Sequence, residues 1–371
     1  MKSLRKSSIV AVATTLFCCV RPSAGEAQNP PTPAPAAKPA NPASAQTQGP
    51  PSGKSQGTIS TVTAIVVVPV TVKDKRTGNL VADLKRDEFR VFEDGIEQQI
   101  QRVTSDPVPL SLVVLIDNDL KRNDQKQVEP SLVSIVGGMS PSDEAFVCRF
   151  DQFFHPGTGF TRDQDQLITE LRRTELASRT STPPSGDPFG GPTINNAPAP
   201  GAQMSGAANP SLRAIQGQPT KALDDAVYGA AQLLKDRDSK KRRKIILLIS
   251  DGQNGAKFNT HKYDEVKEDL LRQGITVYCV ATGTDYLNRK WTRLTSYAHD
   301  TGGEVYFGAS DDAFSEFYSR ITEEARNQYV LTYSPRGETA VDYHKIEVRV
   351  RRPDLIVLAR DGYYGGTFAQ K

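Results

Sequence analysis

The sequence predicts an α/β fold: a doubly wound, mostly parallel sheet, with β-rich segments from both ends of the chain packed together as a small accessory β-domain. Three observations carry this. Leu112-Val113-Val114-Leu115-Ile116 and Ile245-Ile246-Leu247-Leu248-Ile249 are short apolar runs without polar alternation, as in strands buried on both faces of a parallel sheet. From residue 109 to residue 327 such runs alternate with helical patterns, the order that winds a parallel sheet. Outside that region, shorter apolar runs are punctuated by turn residues, as in antiparallel structure.

The elements follow in order. Val62 to Val72 is β-rich, and Pro69 within it implies an edge or a bulge, because proline has no N–H for the ladder. Thr77-Gly78-Asn79 reads as a turn. Phe89 to Phe92, then Glu93-Asp94-Gly95, then Ile96 to Val103 reads as a hairpin on an Asp-Gly turn. Strand 112–116 leads to a polar helix near 123–137, then strand 145–150 with a short antiparallel partner near 153–160, then a helix over 163–176. Leu223 to Lys235 is helical, with Leu223, Val227, Ala230, Ala231 and Leu234 on one face. Strand 245–249, a helix near 261–273 that stops at Gly274, strand 275–280 and a helix near 288–300 follow. The Gly302-Gly303 break, strand 304–307 and helix 311–326 close the region. Tyr329 to Tyr333 is a strand, and Ile346-Glu347-Val348-Arg349-Val350 alternates, so one of its faces is wet. Leu355 to Leu358 and Tyr363-Tyr364 complete the chain's β-structure.

Composition bounds the function. A net charge of +3 over 371 residues argues against a dedicated nucleic-acid binder, which needs a concentrated basic face. The basic run Lys241 to Lys244 enters a strand and reads as a solvated edge. Lys2, Arg5 and Lys6 precede an apolar stretch, Ile9 to Val20, too short to span a bilayer, and Gly25-Glu26-Ala27 offers small residues for cleavage. Residues 1–27 therefore read as a signal peptide, with an uncleaved anchor as the alternative. The mature protein is expected to be secreted or periplasmic, with no membrane span. Residues 28–57 are a Pro/Ala-rich linker, and 181–217 is a disordered insertion within the domain by composition. The organisation expected is then a 58–106 β segment, a 109–327 α/β domain, and a 328–366 β segment that packs with the first. After cleavage Cys148 and Cys279 remain, on non-adjacent strands, and read as buried thiols.

The candidate site lies where the two apolar strands end, in Asp117-Asn118-Asp119 and in Ser250-Asp251-Gly252. Ligands bind open α/β sheets beyond the carboxyl ends of the strands. Carboxylates there suit a hard cation or a partner's basic group. The four histidines have no zinc spacing, and there is no Gly-rich phosphate loop and no Ser-His-Asp pattern.

These pieces resemble a von Willebrand factor A (VWA) domain, a Rossmann-like fold with a metal-ion-dependent adhesion site (MIDAS). That family has Asp-x-Ser-x-Ser after the first strand, a Thr on a later loop, and an Asp, often Asp-Gly, after the fourth strand. Here Asp117, Thr220 before Lys221-Ala222-Leu223, and Asp251-Gly252 match in order, and Leu294 through Thr301-Gly302-Gly303 to Tyr306 resembles the family's ending. With its β-flanks the mature chain resembles secreted bacterial proteins called VWFA-related. The resemblance implies a non-enzymatic protein-binding, adhesion-type module. It also implies a metal set of Asp117, Asp119, Thr220 and Asp251 for Mg2+ or Mn2+, and a protein partner engaged through an acidic group.

The family's two serines are Asp119 and Lys121 here. Asp119 still offers an oxygen, whereas an ammonium has donors only. Two states of this degenerate site follow: a weakened divalent site, or a metal-free cluster in which Lys121 replaces the ion's charge. Two further readings stay open. Asp117-x-Asp119 with Ser250 resembles haloacid-dehalogenase-type phosphohydrolases, although strand 275–280 ends in Ala281-Thr282-Gly283 without the later acidic pair. The other is an envelope scaffold with a vestigial site.

Overall fold

The two apolar runs that end in aspartate become neighbouring strands at the middle of one sheet. A computed structural model of the chain describes residues 65–173, 193–194, 197–198, 221–283, 293–308, 310–336 and 343–365. The expected signal segment, the 28–57 linker, most of 181–217 and Thr220 lie outside the described residues.

In chain order the strands begin with β1 Val66–Asp74, β2 Phe89–Glu93, β3 Ile96–Gln98, β4 Ile100–Thr104, β5 Leu110–Asp117, β6 Glu144–Phe150, β7 Phe154–Pro156, β8 Thr193–Ile194 and β9 Ala197–Pro198. They continue with β10 Arg243–Ser250, β11 Ile275–Ala281, β12 Val305–Phe307, β13 Tyr329–Tyr333, β14 Tyr343–Val350, β15 Leu355–Ala359 and β16 Gly362–Tyr364. The helices are α1 Arg122–Ser131, α2 Ser134–Gly137, α3 Gln164–Arg172, α4 Leu223–Leu234, α5 Tyr263–Gln273, α6 Arg293–Thr301 and α7 Asp311–Arg326.

Six strands form the main sheet in the order β12-β11-β10-β5-β6-β7, parallel throughout except for β7. Every residue of β5 is buried, which explains its uninterrupted apolar run. Leu112, Val114 and Ile116 face one core with Val128, Leu167, Phe314 and Tyr318 from α1, α3 and α7. Val113 and Leu115 face the other, with Val227, Leu270 and Tyr297 from α4, α5 and α6. This is the doubly wound architecture that the alternation predicts. Cys148 and Cys279 are free and buried, with β10 and β5 between their strands. Burial pushes the Cys148 thiol up to about 12 and raises Cys279 as well.

The chain's flanks form two four-stranded sheets, β15-β1-β13-β4 and β16-β14-β2-β3, around a third core of Val68, Val70, Val91, Leu331, Tyr333 and Ile346. Two local expectations are corrected. The stretch 96–103 is not one hairpin arm: β3 pairs with β2, and after Gln99 β4 pairs with β13 in the other sheet. The polar helix near 123–137 is two helices, parted just after Pro130, whose ring removes a backbone donor. Pro69 sits in the half of β1 that β15 does not reach, so its strand has an open side there.

Candidate functional site

In the main sheet the chain moves from β5 to β6 on one side and returns through β10 on the other. The switch in strand order therefore falls between β5 and β10. Ile116 pairs with Ile249, so Asp117 and Ser250-Asp251 leave adjacent strand ends side by side.

The group between these carboxylates is the ammonium of Lys221. Its Nζ donates to Asp117 Oδ2 at 2.7 Å and to Asp251 Oδ1 at 2.8 Å. The Lys221 and Asp117 side chains have no exposed surface, and Asp251 is 4% exposed. Asp117 Oδ2 also accepts from Ser250 Oγ at 2.7 Å, and Asp117 Oδ1 from the Asp119 N–H at 3.0 Å. Asp251 Oδ1 accepts from the Gln253 N–H at 3.0 Å. Burial and the neighbouring Asp251 push the Asp117 carboxyl up to about 6, against the pull of Lys221 and Ser250. Burial works to lower Lys221, but the two aspartates outweigh it and hold the proton on nitrogen. Two carboxylates share one ammonium, which leaves a surplus negative charge.

The backbone of Lys221 is fixed on both sides. Gly255 N–H donates to the Lys221 carbonyl at 2.8 Å, and the next residue, Ala222, donates to the Asp151 carbonyl at 2.8 Å. Ala222 supplies no side-chain cap to α4. Asn254 Oδ1 and Asn259 Oδ1 accept from Leu223 N–H at 3.2 Å and Asp225 N–H at 3.1 Å, capping the helix from another loop. Asp225 in turn accepts from the N–H groups of Thr260 and His261, both at 2.8 Å. Phe153 and Phe258 stand exposed on the two loops that pin Lys221.

The sequence-derived residues fall as follows. Asp117 and Asp251 meet through Lys221. Asp119 is half-buried and gives its N–H to Asp117. Thr220 lies outside the described residues. Lys121 is exposed, at the N-terminus of α1, and the ammonium in the cluster is that of Lys221, which the sequence reading passed over. The sequence carries no direct sign of it: Lys221 precedes Ala222 and Leu223, whose burial only the fold shows, and a lysine buried beside them needs a carboxylate.

A divalent ion at the family's position would need oxygen ligands, and between these aspartates the structure offers it an ammonium instead. The residues described there do not fit the ion. Among the described residues, two other groups bring three ligand atoms within 4.8 Å: Glu93, Asp94 and His344, and His299, Asp300 and Asp361. His344 Nδ1 is already 2.9 Å from Asp94, and Asp300 already holds Lys267 at 2.6 Å.

No curated protein matches the chain. Among solved structures, a von Willebrand factor type A protein from Catenulispora acidiphila shares 8% identity over 81% of this chain and 72% of its own, at a TM-score of 0.41. An aerotolerance-related membrane protein from Bacteroides fragilis shares 12% over 58% and 99%, at 0.36. Proximal thread matrix protein 1 from mussel byssus, solved with a zinc-occupied MIDAS motif, shares 15% over 63% and 49%, at 0.38. The family model of the von Willebrand factor type A domain matches residues 202–320, a stretch that includes Lys221 and Asp251 and begins after Asp117. At residues 202–320, then, the chain matches a von Willebrand factor type A domain, within the doubly wound sheet described above.

Proposed function

We propose that the domain is a non-enzymatic protein-binding module that docks its partner on the face formed by the carboxyl ends of the main strands. One observation supports this most: the aspartates at the switch point are buried and already satisfied, while aromatic side chains stand exposed around them. Asp117 has no exposed surface and its oxygens take three hydrogen bonds, which counts against a role as nucleophile for a phosphoryl group. Phe153 is 63% exposed and Phe258 42%, on loops tied to Ala222 and Lys221, and such aromatics act as anchors in interfaces. Lys221 is out of a partner's reach, so an acidic partner group would meet the exposed Lys121 and Lys257 on the rim.

The test is differential capture. The variant Phe153→Ala/Phe258→Ala is compared with wild type and with Ile96→Ala, which alters an exposed residue of the accessory β-domain. The double variant is expected to keep its melting temperature and to lose partners that the other two proteins retain. Identical partner sets from all three proteins would reject this face. Turnover of an aryl phosphate that Asp117→Asn abolishes would establish the phosphohydrolase instead.

A further inference from the structure

The aspartates of this site already hold a cation, and it belongs to the chain. We propose that Lys221 is the built-in cation of this domain: its ammonium fills the place between Asp117 and Asp251 that a divalent ion would take, so the wild-type site binds no divalent metal and its docking face needs none. Metal-independent docking follows only if the domain is the protein-binding module proposed above. The ion chemistry does not depend on it.

Three features support this. The first is space: an ion ligated by both carboxylates lies about 2.0–2.6 Å from each oxygen, the region the Lys221 nitrogen occupies at 2.7 and 2.8 Å. The second is valence. Asp117 Oδ1 and Oδ2 and Asp251 Oδ1 each already accept from a named donor, and Lys221 adds donors and no oxygen ligand. The third is restraint. The Lys221 backbone is tied to Gly255 on one side, and the adjoining Ala222 to Asp151 on the other, so the main chain that carries the ammonium is held between those loops. Removing the ammonium alone leaves two facing buried carboxylates with no cation, a set that should recruit one.

Mn2+ is titrated into the wild-type chain and into Lys221→Ser, with the free ion followed by electron paramagnetic resonance and folding by melting temperature, against EDTA-treated samples. Wild type is expected to bind none at this site up to about 1 mM Mn2+ and to melt at the same temperature with EDTA. Lys221→Ser is expected to melt lower, to bind Mn2+ at least about tenfold more tightly than wild type, and to recover as Mn2+ is added. Stoichiometric Mn2+ binding by wild type that Asp251→Asn abolishes would overturn the proposal. A folded Lys221→Ser indifferent to Mn2+ would overturn it too. If Lys221→Ser does not fold in EDTA, the wild-type titration still decides. Loss of captured partners on adding EDTA to wild type would refute metal-independent docking while leaving the protein-binding reading intact.

Discussion

At the scale of single residues, buried charges decide what this molecule tolerates. Asp143 lies at the opposite end of the main sheet from Asp117. It accepts from the Leu110 N–H at 2.8 Å and the Ser140 N–H at 2.7 Å, and Arg326 donates to it at 2.6 Å. Burial acts to raise its carboxyl, but these donors together outweigh burial and hold it below 3.8. The folded state therefore binds fewer protons than the unfolded one as pH falls past 3.8. The stabilisation is present above that value and drains away as pH drops through the folded value. Asp143→Asn is expected to cost about 1–3 kcal/mol in urea unfolding at pH 7, with a smaller difference from wild type in acid. An equal difference at both pH values would show that the charge is not what matters. At this scale the sequence was legible in part. Asp117 and Asp251 announced themselves because each ends an apolar strand. Lys221 did not, because a lysine beside a helix start is ordinarily solvated, and only the fold shows that its stem runs inward.

At the scale of elements, the site is held by loops that cap one another. Helix α4 has no N-terminal cap of its own. Asn254 supplies it from the loop after β10, and its Nδ2 also donates to Asp224 at 2.8 Å. That places the Lys221 backbone and the Asp251 loop in a single hydrogen-bonded unit. Asn254→Ala is expected to lower stability by about 0.5–2 kcal/mol, the cost of a lost cap. It should also speed amide exchange at Leu223 and Gly255 relative to the sheet core. Unchanged exchange at Gly255 would mean that the loops are held independently. The strands and helices themselves were readable from periodicity, including the stop at Gly274, whose φ of 66° is the left-handed cap that glycine favours. The split near Pro130 and the passage of 96–103 between two sheets were not. A continuous apolar or polar pattern does not record which sheet a strand joins, and that is settled by partners distant in sequence.

At the scale of the whole molecule, the main sheet is an insertion between two halves of the accessory β-domain, because β1 pairs with β13 and β2 with β14. β-rich patterns at both ends of the sequence suggested that the flanks pack together, since chain termini often lie close, but their register depends on pairings such as Val66 with Tyr333 and Phe89 with Val350, far apart in sequence. The join between the accessory strands and the main sheet is polar. Lys73 of β1 pairs with Glu304 and, at 3.1 Å, with Glu324 of α7, and Gln328 donates to Thr71 at 3.1 Å. Lys73 and Glu324 are buried, and burial raises the Glu324 carboxyl against the pull of Lys73. Lys73→Met removes the cation and strands that acid, which should cost about 3–5 kcal/mol. Adding Glu324→Gln should return a substantial part of the loss, because the uncompensated charge is what destabilises. Unfolding is followed in urea by circular dichroism. If the accessory sheets and the main sheet are coupled through this join, Lys73→Met should broaden or split the transition, and the double variant should restore a single one. A sharp, unshifted transition in Lys73→Met would show that the accessory sheets and the main sheet do not depend on it.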